Sequence, residues 1–182
     1  METAPELLIL VDENDRETGT MEKLQVHREA RLHRAFSIFL LDGDRMLLQK
    51  RADGKYHSGG LWTNACCSHP RAGETLPDAC RKRLEHELGI PPTDAPELTE
   101  LFSFTYCSPY ENGLTEHEFD HVFAGRYPET SPLDPNPDEV SAHRWTALSD
   151  LRDELNEHPE RFTSWFRLCA PRVLAELEKG TV

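Results

Sequence analysis

The sequence predicts a single α/β (α+β) domain in which helices pack on a mixed β-sheet. Three observations carry this. Apolar strand-like runs come first, a strongly marked helix follows, strands return, and two helical segments close the chain; that order builds a layered sheet-and-helix domain. The 182 residues suffice for one full hydrophobic core and are too few for two. The stretches Pro91–Pro96 and Pro128–Pro137 read as loops rather than as a linker between cores.

Leu7–Val11 is a short apolar run and the first strand. Ala35–Leu41 and Arg45–Lys50 flank Asp42-Gly43, a hairpin turn signal. Thr75-x-x-Asp78 resembles a capping box, and Gly89 stands where a C-terminal glycine belongs. Between them Leu76, Cys80, Leu84 and Leu88 recur every four residues, which gives a helix one apolar face. Phe102–Tyr106 and Glu116–Phe123 read as strands, and Ser141–Trp145 as a shorter one. Leu148, Leu151 and Leu155 mark a second helix. Trp165, Leu168, Val173, Leu174 and Leu177 mark a third, with Pro171 expected to bend it.

The net charge of −13 argues against a nucleic-acid partner, which asks for a basic patch. No apolar run reaches the roughly 18 residues of a membrane span, so no membrane partner is expected. METAPELLILVDEND lacks a basic n-region, and the expected compartment is the cytoplasm. A monomer or homodimer fits these features. An anionic ligand would need its cations gathered locally against the global field. The five cysteines are odd in number and irregular in spacing, so a disulfide framework is not expected, and each is first a small buried hydrophobe.

In the strand Thr115–Phe123, alternation points Glu116 and Glu118 the same way, about 7 Å apart. Their carboxylates can converge on one ion, or the strand can present a solvated charged face. Asp120 is read as part of such a face, and His117 and His121 project to the other side. His27, His33 and His69 lie in three separate segments, each unremarkable alone. Three imidazoles and two carboxylates would make a five-ligand site for a borderline divalent metal such as Mn²⁺ or Zn²⁺. Arg83 and Glu87 are i, i+4 neighbours, which reads either as a surface salt bridge or as a Mg²⁺ ligand beside a phosphate-binding guanidinium. Lys23, Arg51 and Lys55 are further cations in a chain with only 20 Lys and Arg.

The run Trp62-Thr63-Asn64-Ala65-Cys66-Cys67-Ser68-His69-Pro70 closely resembles the cysteine signature of the isopentenyl-diphosphate isomerases, the metal-dependent type with a Nudix-like fold. Leu32-His33-Arg34-Ala35-Phe36-Ser37 and Thr115-Glu116-His117-Glu118-Phe119 resemble further elements of that family, in its order, from about Leu7 to Trp165. The resemblance implies a single Nudix-like domain over residues 1–182, with a mixed sheet sandwiched by helices. It implies transposition of a carbon–carbon double bond between isopentenyl and dimethylallyl diphosphate. By position, Cys67 and not Cys66 matches the catalytic thiol, and Glu118 the catalytic carboxylate. Tyr106 matches a phenol beside that carboxylate and Trp165 an aromatic facing the hydrocarbon. His27, His33, His69, Glu116 and Glu118 match the ligands of one metal, with Mn²⁺ and Mg²⁺ implied as cofactors and Zn²⁺ compatible. Glu87, helped by a backbone carbonyl at Cys67, matches the ligand of a second ion, Mg²⁺. Lys23, Arg51, Lys55 and Arg83 match contacts to a small-molecule diphosphate. No redox cofactor is implied. His57-Ser58-Gly59-Gly60 departs from the pattern, with a glycine where members often carry proline.

Two other functions fit less well. In the hydrolytic Nudix box, Glu74, Leu84, Glu87, Gly89 and Ile90 match, but Ser68, Lys82, Arg83 and His86 replace a glycine, an arginine and two glutamates. A pyrophosphohydrolase needs those carboxylates clustered on Mg²⁺. A non-enzymatic metal-stabilised binding module would have a closed, cysteine-rich site.

Overall fold

Strand β3 (His33–Asp42) is the axis of the sheet in the computed structural model, which describes residues 6–182. On one side β3 pairs in parallel with β8 (Thr115–Arg126), from His33↔Glu118 to Leu41↔Arg126. On the other it meets β4 (Arg45–Arg51) only at the hairpin end, through Leu41↔Met46 and Asp42↔Arg45. Beyond that point the two strands diverge. There β6 (Cys66–Ser68) pairs with β3, and β5 (Trp62–Thr63) with β4. β7 (Thr99–Pro109) pairs with β8, and β9 (Val140–Ala147) with β4. β1 (Leu7–Val11) pairs with β2 (Glu17–Glu22) and touches β3 through Leu10↔His33. The sheet is mixed, as expected. The hairpin turn falls one residue later than Asp42-Gly43: Gly43 and Asp44 form it, and Gly43 takes φ +57°, which a glycine adopts without steric cost.

Side-chain alternation along β3 feeds two cores. Phe36, Ile38 and Leu40 pack with Cys80, Leu84 and Leu88 of α2 (Leu76–Leu88). Phe39 and Leu41 pack on the opposite side with α3 (Leu148–Glu157) and α4 (Ser164–Glu178). The sheet therefore lies between helical layers. Both ends of α2 stand where the sequence places them. Thr75 Oγ accepts from the Asp78 N–H, and Gly89 is left-handed at φ +68°. A Cβ at Gly89 would also lie 2.6 Å from the Asp134 carbonyl oxygen, so the position demands glycine twice over.

Three expectations need correction. Asp120 is not on a solvated face: it is 1% exposed, because β8 is an interior strand between β3 and β7 and its faces are covered. Leu168 is 52% exposed, and the buried face of α4 is instead Trp165, Phe166, Cys169, Ala170, Val173 and Leu174. β7, β8 and β9 outrun the segments Phe102–Tyr106, Glu116–Phe123 and Ser141–Trp145, since their ends are polar. β2, β5, β6 and the six-residue α1 (Lys23–Arg28) carry too little apolar pattern to be read from sequence. Residues 1–5 of the expected 1–182 domain lie outside the described residues. Among the described residues no helix is long and apolar enough to cross a membrane.

Candidate active site

The polar face of the β3–β8 ladder is where the predicted residues meet. The Glu22 carboxylate caps α1 by accepting from the Leu24 and Gln25 N–H groups, which leaves His27 in the last turn. His27 Nδ1–H donates to the Lys23 carbonyl at 2.7 Å, and His33 Nδ1–H to the Arg31 carbonyl at 2.8 Å. Those bonds fix both rings and leave each Nε2 buried without a hydrogen-bond partner among the described residues. His69 Nε2 lies 2.8 Å from Glu118 Oε1, and His33 Nε2 lies 3.6 Å from the same oxygen. One ligand atom from each of His27, His33, His69 and Glu118 falls within 4.8 Å of the others, so the group can hold a metal ion. Imidazoles anchored through one nitrogen and free at the other suit a divalent metal.

Protonation agrees with that use. Burial lowers the His27 pKa and takes His69 down to about 3, against the pull of Glu118. Burial also works against charge on Glu118, but the neighbouring imidazoles outweigh it, His69 through a hydrogen bond, and hold the carboxyl well below its ordinary range. Neutral imidazoles and an ionised carboxylate are the forms that ligate metals. The fifth expected ligand, Glu116, lines the same cavity as His69 and Glu118, with its carboxylate held by neighbouring side chains. Its Oε1 lies 2.9 Å from His57 Nε2, and its Oε2 accepts from Tyr110 at 2.7 Å and Tyr106 at 3.2 Å.

A small cavity of about 50 Å³, partly open to solvent, lies where β3 and β4 diverge. Alternation along β6 sends its two cysteines to opposite faces. Cys66 is fully buried in the α2 core, while Cys67 lines the cavity. Burial pushes the Cys67 thiol pKa up, partly opposed by Arg51, so it stays protonated at neutral pH. Glu118 reaches the same cavity, and Tyr106 donates to its Oε2 at 2.7 Å. Trp165 is 2% exposed; its Nε1 donates to Asn64 Oδ1 at 3.3 Å, and its ring lines the cavity under the Arg51 guanidinium at 5.2 Å. The indole is thus both core and wall.

All four expected cations line this cavity. Arg83 Nη2 is 2.5 Å from Glu87 Oε1, and Glu87 Oε2 accepts from Gln49 Nε2 at 3.0 Å. Burial opposes the charge on Arg83, but Glu87 more than offsets it and raises the guanidinium pKa. Arg51 is 7% exposed and its Nε has no partner among the described residues, which leaves a donor for an anion. Lys55 pairs with Glu139, which also stands 3.5 Å from Arg83. Lys23 pairs with Glu6 at 3.3 Å, and burial lowers its pKa.

Sequence reasoning missed six residues of the cavity wall or its surroundings. Ser37, Tyr56, His57, Ser68 and Glu139 line it, and Tyr110 holds Glu116. Only His57 carried a signal, through the departure at His57–Gly60. His117 and His121 face away, as read: His117 Nδ1–H donates to the Ala30 carbonyl, and His121 lies between Asp15 and Glu100.

A mixed sheet between helices, with a carboxylate-bearing α2 beside a cation-lined cavity, defines a Nudix-type domain, and the NUDIX domain model matches residues 31–166. A Deinococcus radiodurans protein of solved structure superposes with TM-score 0.75 at 22% identity, covering 92% of this chain and 98% of that one, which shows the fold. Isopentenyl-diphosphate Delta-isomerase 1 of Aromatoleum aromaticum is 51% identical over 169 residues, 92% of either chain. The isopentenyl-diphosphate Delta-isomerase of Photobacterium profundum is 46% identical, over 94% of this chain and 96% of its own. The chain belongs to the isopentenyl-diphosphate Delta-isomerase family.

Proposed function

We propose that the chain is an enzyme that interconverts isopentenyl and dimethylallyl diphosphate, with Cys67 and Glu118 as its acid–base pair. The observation that carries this is the meeting of the Cys67 thiol and the Glu118 carboxylate in one cavity with four cations. The reaction adds one proton to the terminal alkene carbon and removes one from the carbon nearer the oxygen. Two positioned groups that exchange protons with carbon suit it. Lys23, Arg51, Lys55 and Arg83 bind the diphosphate handle, which supplies the affinity that a small alkene cannot and holds it in register. Tyr106 donates to Glu118 and orients it. Trp165 forms a wall that excludes water from a carbocation-like centre and offers its π face to the positive charge.

His27, His33, His69 and Glu118, joined by Glu116, are the residues that would hold one divalent ion, Mn²⁺ or Mg²⁺, with Zn²⁺ chemically compatible. Glu87 and a carbonyl at Cys67 would hold a Mg²⁺ that neutralises the diphosphate. Such ions supply fixed positive charge and alter the proton affinity of a bound carboxylate. The substrate is a free small molecule, and the reading places the enzyme in the cytoplasm as a monomer or homodimer. Incubation with isopentenyl diphosphate in D₂O, followed by ¹H and ³¹P NMR, tests the proposal. The expected product is dimethylallyl diphosphate with deuterium in a methyl group and both phosphates intact. Release of a monophosphate instead would identify a pyrophosphohydrolase, and no change would leave a binding module.

A further inference from the structure

The loop between β4 and β5 delivers a side chain that the reading above does not use. Gly60 N–H donates to the Arg51 carbonyl at 3.0 Å and Lys55 N–H to the Ala52 carbonyl at 3.2 Å, so the loop folds back on the end of β4. Ser58 sits at φ +53°, and a Cβ at Gly59 would stand 2.6 Å from the Asp53 carbonyl oxygen. This tight return turns His57 inward, to 6% exposure. Its ring stacks on Tyr110 with centroids 4.5 Å apart at 11°, and meets Tyr56 and Trp165 edge-on at 4.4 and 5.9 Å. Asn112 Nδ2 donates to the Tyr56 carbonyl at 2.7 Å and ties the loop to the β7–β8 turn. The ring so fixed places Nδ1 3.2 Å from the Ser58 hydroxyl and Nε2 2.9 Å from Glu116 Oε1; the latter is a close polar contact outside regular hydrogen-bond geometry, and the buried Nε2 has no hydrogen-bond partner among the described residues.

We propose that His57 is a positioning residue that, with Tyr110, holds the Glu116 carboxylate against the metal group and so raises its affinity for a divalent ion. Glu116 has one oxygen against His57 and the other against two phenols, which fixes the plane of the carboxylate before any ion arrives. Partners of this kind set ligand orientation, and their loss costs roughly 10–100-fold in metal affinity. The proposal rests on the reading that His27, His33, His69 and Glu118 hold the ion and that Glu116 completes its shell.

The experiment is Mn²⁺ titration of metal-free protein by calorimetry, with melting curves beside it. His57→Phe keeps the stacked ring and loses the donor; it should bind Mn²⁺ about 10-fold more weakly. His57→Gln keeps an N–H and should stay within about 3-fold, since a donor at that oxygen is retained. In a Glu116→Gln background, His57→Phe should add no further loss. If Phe lowers the melting temperature, His57→Ala replaces it with the same expectation. Unchanged affinity in the variants that remove the donor, or a loss that persists in the Glu116→Gln background, overturns the proposal. His69→Ala is the control: unchanged Mn²⁺ binding there would defeat the metal-centre reading, whereas weakening in His69→Ala alone would defeat only the role of His57.

Discussion

His33 and Glu118 are register partners on adjacent parallel strands, and His33 Nε2 lies 3.6 Å from Glu118 Oε1. That pairing joins the two halves of the site, because Glu118 belongs both to the metal group and to the acid–base pair. Exhaustive chelation should therefore silence turnover, and Mn²⁺ or Mg²⁺ should restore it. His33→Ala should lower metal content by elemental analysis. Full activity in metal-free protein would contradict the assignment of this cluster.

Arg83 stands between Glu87, 2.5 Å away, and Glu139, 3.5 Å away. Arg83→Glu would put three carboxylates where the diphosphate is expected. KM should rise 10-fold or more, a cost of at least about 1.4 kcal/mol. No pyrophosphohydrolase activity should appear, since His86 still replaces a box glutamate. Efficient phosphate release from nucleoside diphosphates would show that a hydrolytic site is latent in α2.

Trp165→Phe and Trp165→Leu both remove the hydrogen bond to Asn64, so both should melt at a lower and similar temperature. They differ in the π face. Leu should lower kcat by about 10-fold relative to Phe, with KM within a few fold, because an interaction made mainly in the transition state acts on kcat. Equal kcat values in steady-state assays would reduce Trp165 to packing.

Asp120 offers a pH signature. Burial, together with the nearby charge of Glu118, raises its carboxyl pKa well above the ordinary value. One oxygen accepts from Ser37 at 2.8 Å and the other has no partner among the described residues, which fits a neutral acid. Above the unfolded value of 3.8 the unfolded chain releases this proton and the folded chain keeps it. Asp120 therefore costs stability increasingly as pH rises from that point. Asp120→Asn, which still accepts from Ser37, should stabilise metal-free protein at pH 7, with a gain that shrinks toward pH 4. Urea titrations across that range check this, and a pH-independent gain would show an ionised Asp120.

Much of the fold was legible because its signals are local. Thr75 and Gly89 mark the ends of α2 with their own caps, and the apolar run of β3 needs no tertiary information. β2, β5 and β6 are short or polar and become strands only by pairing. The site was legible as motifs rather than as geometry. His27, His33 and His69 share no spacing that foretells their convergence; the β3–β8 and β3–β6 ladders bring it about. Asp120 misled because alternation reports which face a residue takes and not whether that face is covered. His57, Tyr110 and Glu139 reach the site through loop and strand-end geometry, which no periodicity encodes.

The central claim is that Cys67 and Glu118 exchange protons with the substrate, and the adjacent cysteines provide its most direct test. Cys66 packs in the α2 core while Cys67 faces the cavity. The measurement is turnover of isopentenyl diphosphate by Cys67→Ala and Cys66→Ala, each confirmed folded by circular dichroism. Cys67→Ala should fall below 0.1% of the unaltered rate, on the order of 4 kcal/mol or more of transition-state stabilisation. Cys66→Ala should keep most of its activity and lose some stability. A live Cys67→Ala enzyme, or equal losses in the two variants, would contradict the account.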